Sequence, residues 1–177
     1  VPDPQDEHPH APGPEELWND SWYFDAISDD EHTGVYTRLG LYPNLGVCWV
    51  TAFVCGPGRP TVAVVDFAVP LPGPDDLTVS NEGLRAEHLC EEPLERIRVR
   101  LDATGSSHED AAALLRGEPG TPVPVSFDLV WATDGIPYAY RVATRYEIPC
   151  LVQGTIRIGD DTLKFHGPGQ RDHSWGT

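Results

Sequence analysis

Leu94-Glu95-Arg96-Ile97-Arg98-Val99-Arg100-Leu101 decides the fold. From Arg96 onward, charged and apolar side chains alternate one by one. A period of two is the mark of a strand with one wet face and one dry face; a helix would repeat near 3.6. Similar short runs, broken by turn residues, lie on both sides of it.

Upstream, Ser21–Ile27, Gly34–Leu41, Gly46–Cys55 and Thr61–Val69 read as strands, and Leu84–Cys90 follows a turn at Asn81-Glu82-Gly83. Downstream, Val123–Trp131, Tyr146–Ile158 and Thr162–Phe165 read the same way. Tyr42-Pro43-Asn44, Gly56-Pro57-Gly58 and the prolines at 70, 72 and 74 punctuate them. One helix is expected over Ala111–Leu115, capped by Ser106 or Ser107 and ended by Arg116 and Gly117. About eight to ten short strands with one short helix make an all-β chain, an antiparallel sandwich or barrel. A barrel of about eight strands can hold one small ligand.

The first 16 residues carry five prolines and five carboxylates but no Lys or Arg. They are expected to form a flexible acidic arm, either disordered or folded over a cavity mouth as a lid. His8 and His10 within it are expected to be solvated. Residues 17–177 form the barrel domain, since 177 residues suit a single core.

The net charge is −16, and Lys164 is the single lysine. Such a chain repels phosphate backbones and anionic membrane surfaces, so neither nucleic acid nor membrane is expected as a partner. No apolar run reaches the roughly 20 residues of a spanning helix, and no signal peptide is evident, so a cytoplasmic location is expected. A homodimer is left open. Cys48, Cys55, Cys90 and Cys150 lack CxxC or Cys/His spacing. They read as free thiols, with no metal and no cofactor expected, although pairing is left open. Gly56-Pro57-Gly58 lacks the following Lys-Ser/Thr of a phosphate loop.

The candidate chemistry lies at the C-terminal end of the sequence, Gly167-Pro168-Gly169-Gln170-Arg171-Asp172-His173-Ser174-Trp175-Gly176-Thr177. Asp172 beside His173 would make an acid–base pair if a turn brought both to one cavity; a strand would send them to opposite faces. The same residues can instead clasp the end of the fold, with Trp175 as a plug. Glu147 is a further catalytic candidate. Asp20 and Gln153 could hydrogen-bond a ligand carbonyl, and Trp22, Tyr23 and Trp49 could line an apolar cavity.

Several motifs resemble one family. Asn19-Asp20-Ser21-Trp22-Tyr23-Phe24 resembles an NESWYF motif, with Asp20 where Glu is usual. Arg38-Leu39-Gly40 with Pro43-Asn44-Leu45-Gly46 resembles an RLG…PNxG hairpin. Gly154–Asp160 with Gly167–Gly176 resembles a GTIRIGD…GxGxRDHSWG signature. These are features of the lipocalin-like superfamily of carotenoid hydratases (hydroxyneurosporene synthases) and related isomerases and cyclases. Its members usually carry two barrel-like halves, with RDHSWG leading into the second. A sequence ending at Thr177 is more similar to the small single-barrel cyclases (Diels-Alderases) of polyketide pathways.

The resemblance implies a lipocalin-like barrel and a hydrophobic small-molecule substrate. It implies a cofactor-free cyclase that closes a polyene or polyketide precursor by [4+2] or spirocyclisation in natural-product biosynthesis. Holding the substrate folded can by itself lower a barrier by about 7–11 kcal/mol. The alternatives are an isoprenoid hydratase or isomerase using Asp172 and His173, and a non-catalytic carrier of a small lipid.

Overall fold

The computed structural model describes residues 2–74 and 76–177. Its strands are β1 (Asn19–Ile27), β2 (Gly34–Tyr42), β3 (Val47–Cys55), β4 (Thr61–Pro70), β5 (Thr78–Asn81) and β6 (Leu84–Glu92). They continue with β7 (Arg96–His108), β8 (Thr121–Thr133), β9 (Tyr138–Ala139), β10 (Arg145–Ile158) and β11 (Asp161–Gly176). One helix, α1 (Ala111–Leu115), joins β7 to β8.

All strand pairs are antiparallel, in the order β4-β3-β2-β1-β11-β10-β8-β7-β6-β5. Thr61–Ala63 of β4 also pair with Ser106–His108 of β7. That pairing closes eight strands into a barrel-like ring. Toward the other end β4 and β7 part, and the β5–β6 hairpin fills the gap. Asn81 donates to Asp66 at 3.2 Å and ties β5 to β4 there. The barrel is therefore narrow at the α1 end and wide where β7 begins.

The alternation quoted at the outset sets the faces of β7. Ile97, Val99 and Leu101 point inward and are buried. Arg98 and Arg100 point outward, where both meet Asp128 of β8 and Arg100 also meets Glu87 of β6. These exposed pairs contribute little to stability, typically 0–1 kcal/mol each. The interior is filled by large side chains from facing strands, among them Trp22, Phe24, Leu39, Leu129, Trp131 and Ile148.

Four sequence expectations need correction. β5 and β9 were not foreseen, because four and two residues are too few to show a period. The cap of α1 is Asp110, which accepts from Ala112 N at 2.9 Å; Ser106 and Ser107 belong to β7. The last strand does not stop near Phe165 but runs to Gly176. Its glycines are the reason. A side chain at Gly167 or Gly169 would run into the carbonyl oxygens of Ile27 or Asp25, so these residues let β11 press against β1. The Asp25 carbonyl then accepts a hydrogen bond from Trp131 Nε1 at 3.0 Å.

The arm is folded against the wide end of the barrel. Asp3 caps a 3₁₀ turn over Pro4–Glu7, accepting from Gln5 N at 2.9 Å, while Asp6 reaches back to Asp3 N. Asn44 in the β2–β3 turn donates to the carbonyls of Gly13 and Glu15 and holds the outgoing arm down. The described residues contain no helix long and apolar enough to cross a membrane.

Candidate functional site

Strand parity sorts the candidates. On β11 the side chains of Arg171, His173 and Trp175 face the interior, and those of Asp172 and Ser174 face out. On β1, Asp20, Trp22 and Phe24 face in, while Ser21 and Tyr23 face out. Asp172 and His173 thus lie on opposite sides of the barrel wall. The carboxylate beside His173 is Asp20, delivered by the register that pairs Trp22 with His173 and Asp20 with Trp175.

His173 Nε2 lies 2.5 Å from Asp20 Oδ1, and both side chains are 1% exposed or less. Trp22 stacks on the His173 ring at 4.2 Å, and Tyr146 meets it edge-on at 5.7 Å. The other ring nitrogen, Nδ1, lies 2.6 Å from the backbone carbonyl of Asp6. A carbonyl can only accept, so Nδ1 carries a proton. A carboxylate 2.5 Å from Nε2 also needs a proton between the two atoms. Nδ1 is therefore a donor, and a second proton lies between Nε2 and the Asp20 carboxyl group.

The arm completes this cluster. His10 N donates to Asp20 Oδ2 at 2.6 Å, and the His10 ring stacks on Trp175 at 3.8 Å. His8 is exposed as expected, but His10 is not simply solvated. Glu7 enters deepest. Its side chain is buried against Arg171, 2.8 Å from Oε1 to Nη1, and Oε1 also receives the amide of Leu94 at 3.0 Å. Burial and the nearby Glu7 carboxylate push the Tyr146 phenol well above its ordinary pKa.

His10, Asp20 and His173 offer ligand atoms within 4.8 Å of one another, the donor set of a metal site. Tetrahedral zinc with bonds near 2.1 Å keeps its ligand atoms about 3.4 Å apart. The 2.5 Å contact between His173 and Asp20 is the length of a shared proton, and a metal would require the two groups to separate.

Outside the barrel a second polar cluster surrounds Asp172. Arg145 Nη2 donates to Asp172 at 2.8 Å and to Glu147 at 2.7 Å, and Tyr140 also donates to Glu147. Burial raises the Asp172 carboxyl to about 6. Tyr23 donates to Asp25 at 2.7 Å on the same outer face. Trp49 also faces outward, against Tyr42 and Phe67, and Gln153 is exposed on β10. Of the nine sequence candidates, the structure gathers Asp20, Trp22, His173 and Trp175 at the wide end of the barrel. It leaves Tyr23, Trp49, Glu147, Gln153 and Asp172 outside.

Sequence reasoning missed Glu7, His10 and Tyr146, and it read Arg171 only as a clasp. Parity along a β11 strand would have put Arg171 beside His173. Nothing local distinguishes Glu7 from the other carboxylates of the arm.

A groove of about 470 Å3 opens at this end between the arm and the wall, with Pro9, Pro12, Leu41 and Leu71 on its sides and Asp20 and His10 also lining it. A groove of about 500 Å3 over Arg85, Glu87, Arg100 and Asp128 lies on the outer face, where its charges already pair with one another.

A family model described as a domain of unknown function, DUF7064, matches residues 3–177. No curated protein matches the chain.

Proposed function

The chain belongs to the DUF7064 family, and on that footing we propose that it is a cofactor-free enzyme that moves a proton on an apolar small molecule. The acid–base pair is His173 with Asp20. One observation carries the reading: an imidazole and a carboxylate share a proton at 2.5 Å where water is excluded, beside a groove with apolar walls. In such surroundings hydrogen bonds are strong, and the orientation of the shared proton is fixed.

The arm gates this pair. The Asp6 carbonyl occupies His173 Nδ1, and the backbone amide of His10 occupies Asp20 Oδ2. Lifting the arm frees both groups toward the mouth. Isomerisation, hydration and proton-initiated cyclisation of a polyene are reactions that such a pair can start, and the resemblance to carotenoid hydratases supports a polyene substrate. Asp172, on the outer wall, has no part in it.

A cyclase that acts by substrate folding alone is the second reading. The apolar walls of the groove, with Pro9, Pro12, Leu41 and Leu71, favour it. Incubating the protein with linear polyenes and polyenones in D2O separates the two. Proton transfer leaves deuterium on the product carbon, whereas a pericyclic closure leaves none. Recovery of every compound unchanged but bound points to a carrier and overturns both.

A further inference from the structure

Arg171 has more hydrogen-bonding capacity than Glu7 uses. Glu7 touches it through Nη1 alone, at 2.8 and 3.0 Å. Nε and Nη2 are shut off from solvent with no hydrogen-bond partner among the described residues. A guanidinium meets a carboxylate best through two parallel N–H groups, and a buried N–H left unpaired costs about 1–3 kcal/mol. Glu7 is thus an incomplete partner for the group it covers.

The barrel supplies the rest of the cradle by itself. Leu94 sits in the turn Glu92-Pro93-Leu94-Glu95 with φ of 63°, a left-handed conformation where Gly or Asn is usual. That backbone turn aims the Leu94 amide at Glu7 Oε1. Strain of this kind persists only where the surroundings impose it. Arg171 and the Leu94 amide both belong to the barrel rather than to the arm, and both point at the Glu7 carboxylate. Tyr146 and Cys150 flank it and are buried with it, and burial raises the Cys150 thiol to about 12.

We propose that Arg171 and the Leu94 amide bind the carboxylate of an apolar monocarboxylic acid, and that Glu7 is the site's intramolecular occupant. The inference rests on the reading of the wide end as a substrate site and adds the ligand's charged group to it. The acid's tail lies toward the groove, and its headgroup takes the place of the Glu7 carboxylate between Arg171 Nη1 and the Leu94 amide, where, free of the arm, it can turn to meet Nη2 as well. Binding displaces Glu7 and with it the arm, which uncovers His173. A tethered competitor lowers the apparent affinity of any free ligand by the fraction of time the site is occupied.

The test titrates wild type, Glu7→Gln and Arg171→Gln with decanoate, methyl decanoate and decanol by calorimetry. Glu7→Gln should bind decanoate at least about tenfold tighter than wild type. Decanol and the ester should not distinguish the two proteins, and Arg171→Gln should lose the preference for the acid. A readout on wild type alone needs no variant to fold. Decanoate, and not decanol, should accelerate cleavage after Glu7, Glu15 and Glu16 by a glutamate-specific protease. Equal binding of acid and alcohol by Glu7→Gln, or cleavage unaffected by decanoate, overturns the carboxylate site but leaves the proton-transfer reading standing. Failure of all three compounds to bind any of the proteins overturns the carboxylate site and the use of this end for apolar ligands together.

Discussion

Glu7 Oε1 lies 2.8 Å from Arg171 Nη1 across 164 positions of sequence, with both side chains closed to solvent. One partner belongs to the N-terminal arm, which meets the barrel from outside the sheet, and the other is fixed in the middle of β11 between β1 and β10. The two ends of the pair therefore respond differently to mutation.

Glu7→Ala leaves Arg171, fixed in β11, as a guanidinium with no charge partner beneath the seated arm. The expected loss is about 3–5 kcal/mol in urea unfolding. Arg171→Met should cost less, because the arm can carry Glu7 out into solvent. Its signature is faster cleavage of the arm by a glutamate-specific protease. Equal losses for the two variants would mean that the arm cannot leave.

Asp20→Asn places an amide where three N–H groups converge, from the His10 backbone and the rings of His10 and His173. The amide nitrogen then faces a donor. We expect a loss of about 2–3 kcal/mol, loosening of the arm and loss of turnover. Urea midpoints with the D2O labelling assay check this. An Asp20→Asn protein with wild-type turnover would remove Asp20 from the acid–base pair.

His88 is buried beside Phe24, and neither ring nitrogen has a partner among the described residues. Burial lowers its pKa from 6.5 to about 4. The folded state thus holds the neutral ring, while the unfolded chain takes up a proton below pH 6.5. The stabilisation is complete above pH 6.5 and is lost as pH falls toward 4, by on the order of 3 kcal/mol. His88→Leu should remove that part of the acid sensitivity. Urea midpoints at pH 7 and pH 4.5 give the comparison, and an unchanged pH slope in the variant would contradict it.

Asp172 carries the opposite sign. Burial raises its carboxyl from 3.8 to about 6, so the protonated form is the one the fold favours. Its contribution is fully present below pH 3.8 and disappears as pH rises through 6. Asp172→Asn should therefore be no less stable than wild type at pH 7.5, and it should keep turnover because the side chain faces outward. His173→Asn should lose turnover. A dead Asp172→Asn enzyme would restore the adjacent Asp172–His173 pair as the catalytic unit.

How far the sequence could be read follows from what each signal depends on. The strand over Arg96–Leu101 was legible because alternation reports only which face is wet, and that is decided within a few residues. Helix α1 was legible from its apolar body, though its cap was not, since Ser106, Ser107 and Asp110 are all competent caps. The C-terminal stretch was ambiguous for a physical reason: Gly167, Pro168 and Gly169 suit a turn in isolation. They suit a strand once β1 lies close enough to exclude any side chain at the glycines.

By itself the sequence determined an antiparallel all-β chain, its wet and dry faces, and a cluster of polar residues near its C-terminal end. Only the tertiary structure decided which of them meet. Asp20 reaches His173 across 153 positions, and Glu7 reaches Arg171 across 164. Asp172, next to His173 in the chain, is sent to the other side of the wall. Period-two alternation fixes the face of each residue relative to its neighbours. Which strands lie side by side, in what register, and what the arm covers are set by closing the barrel, and no local pattern encodes that.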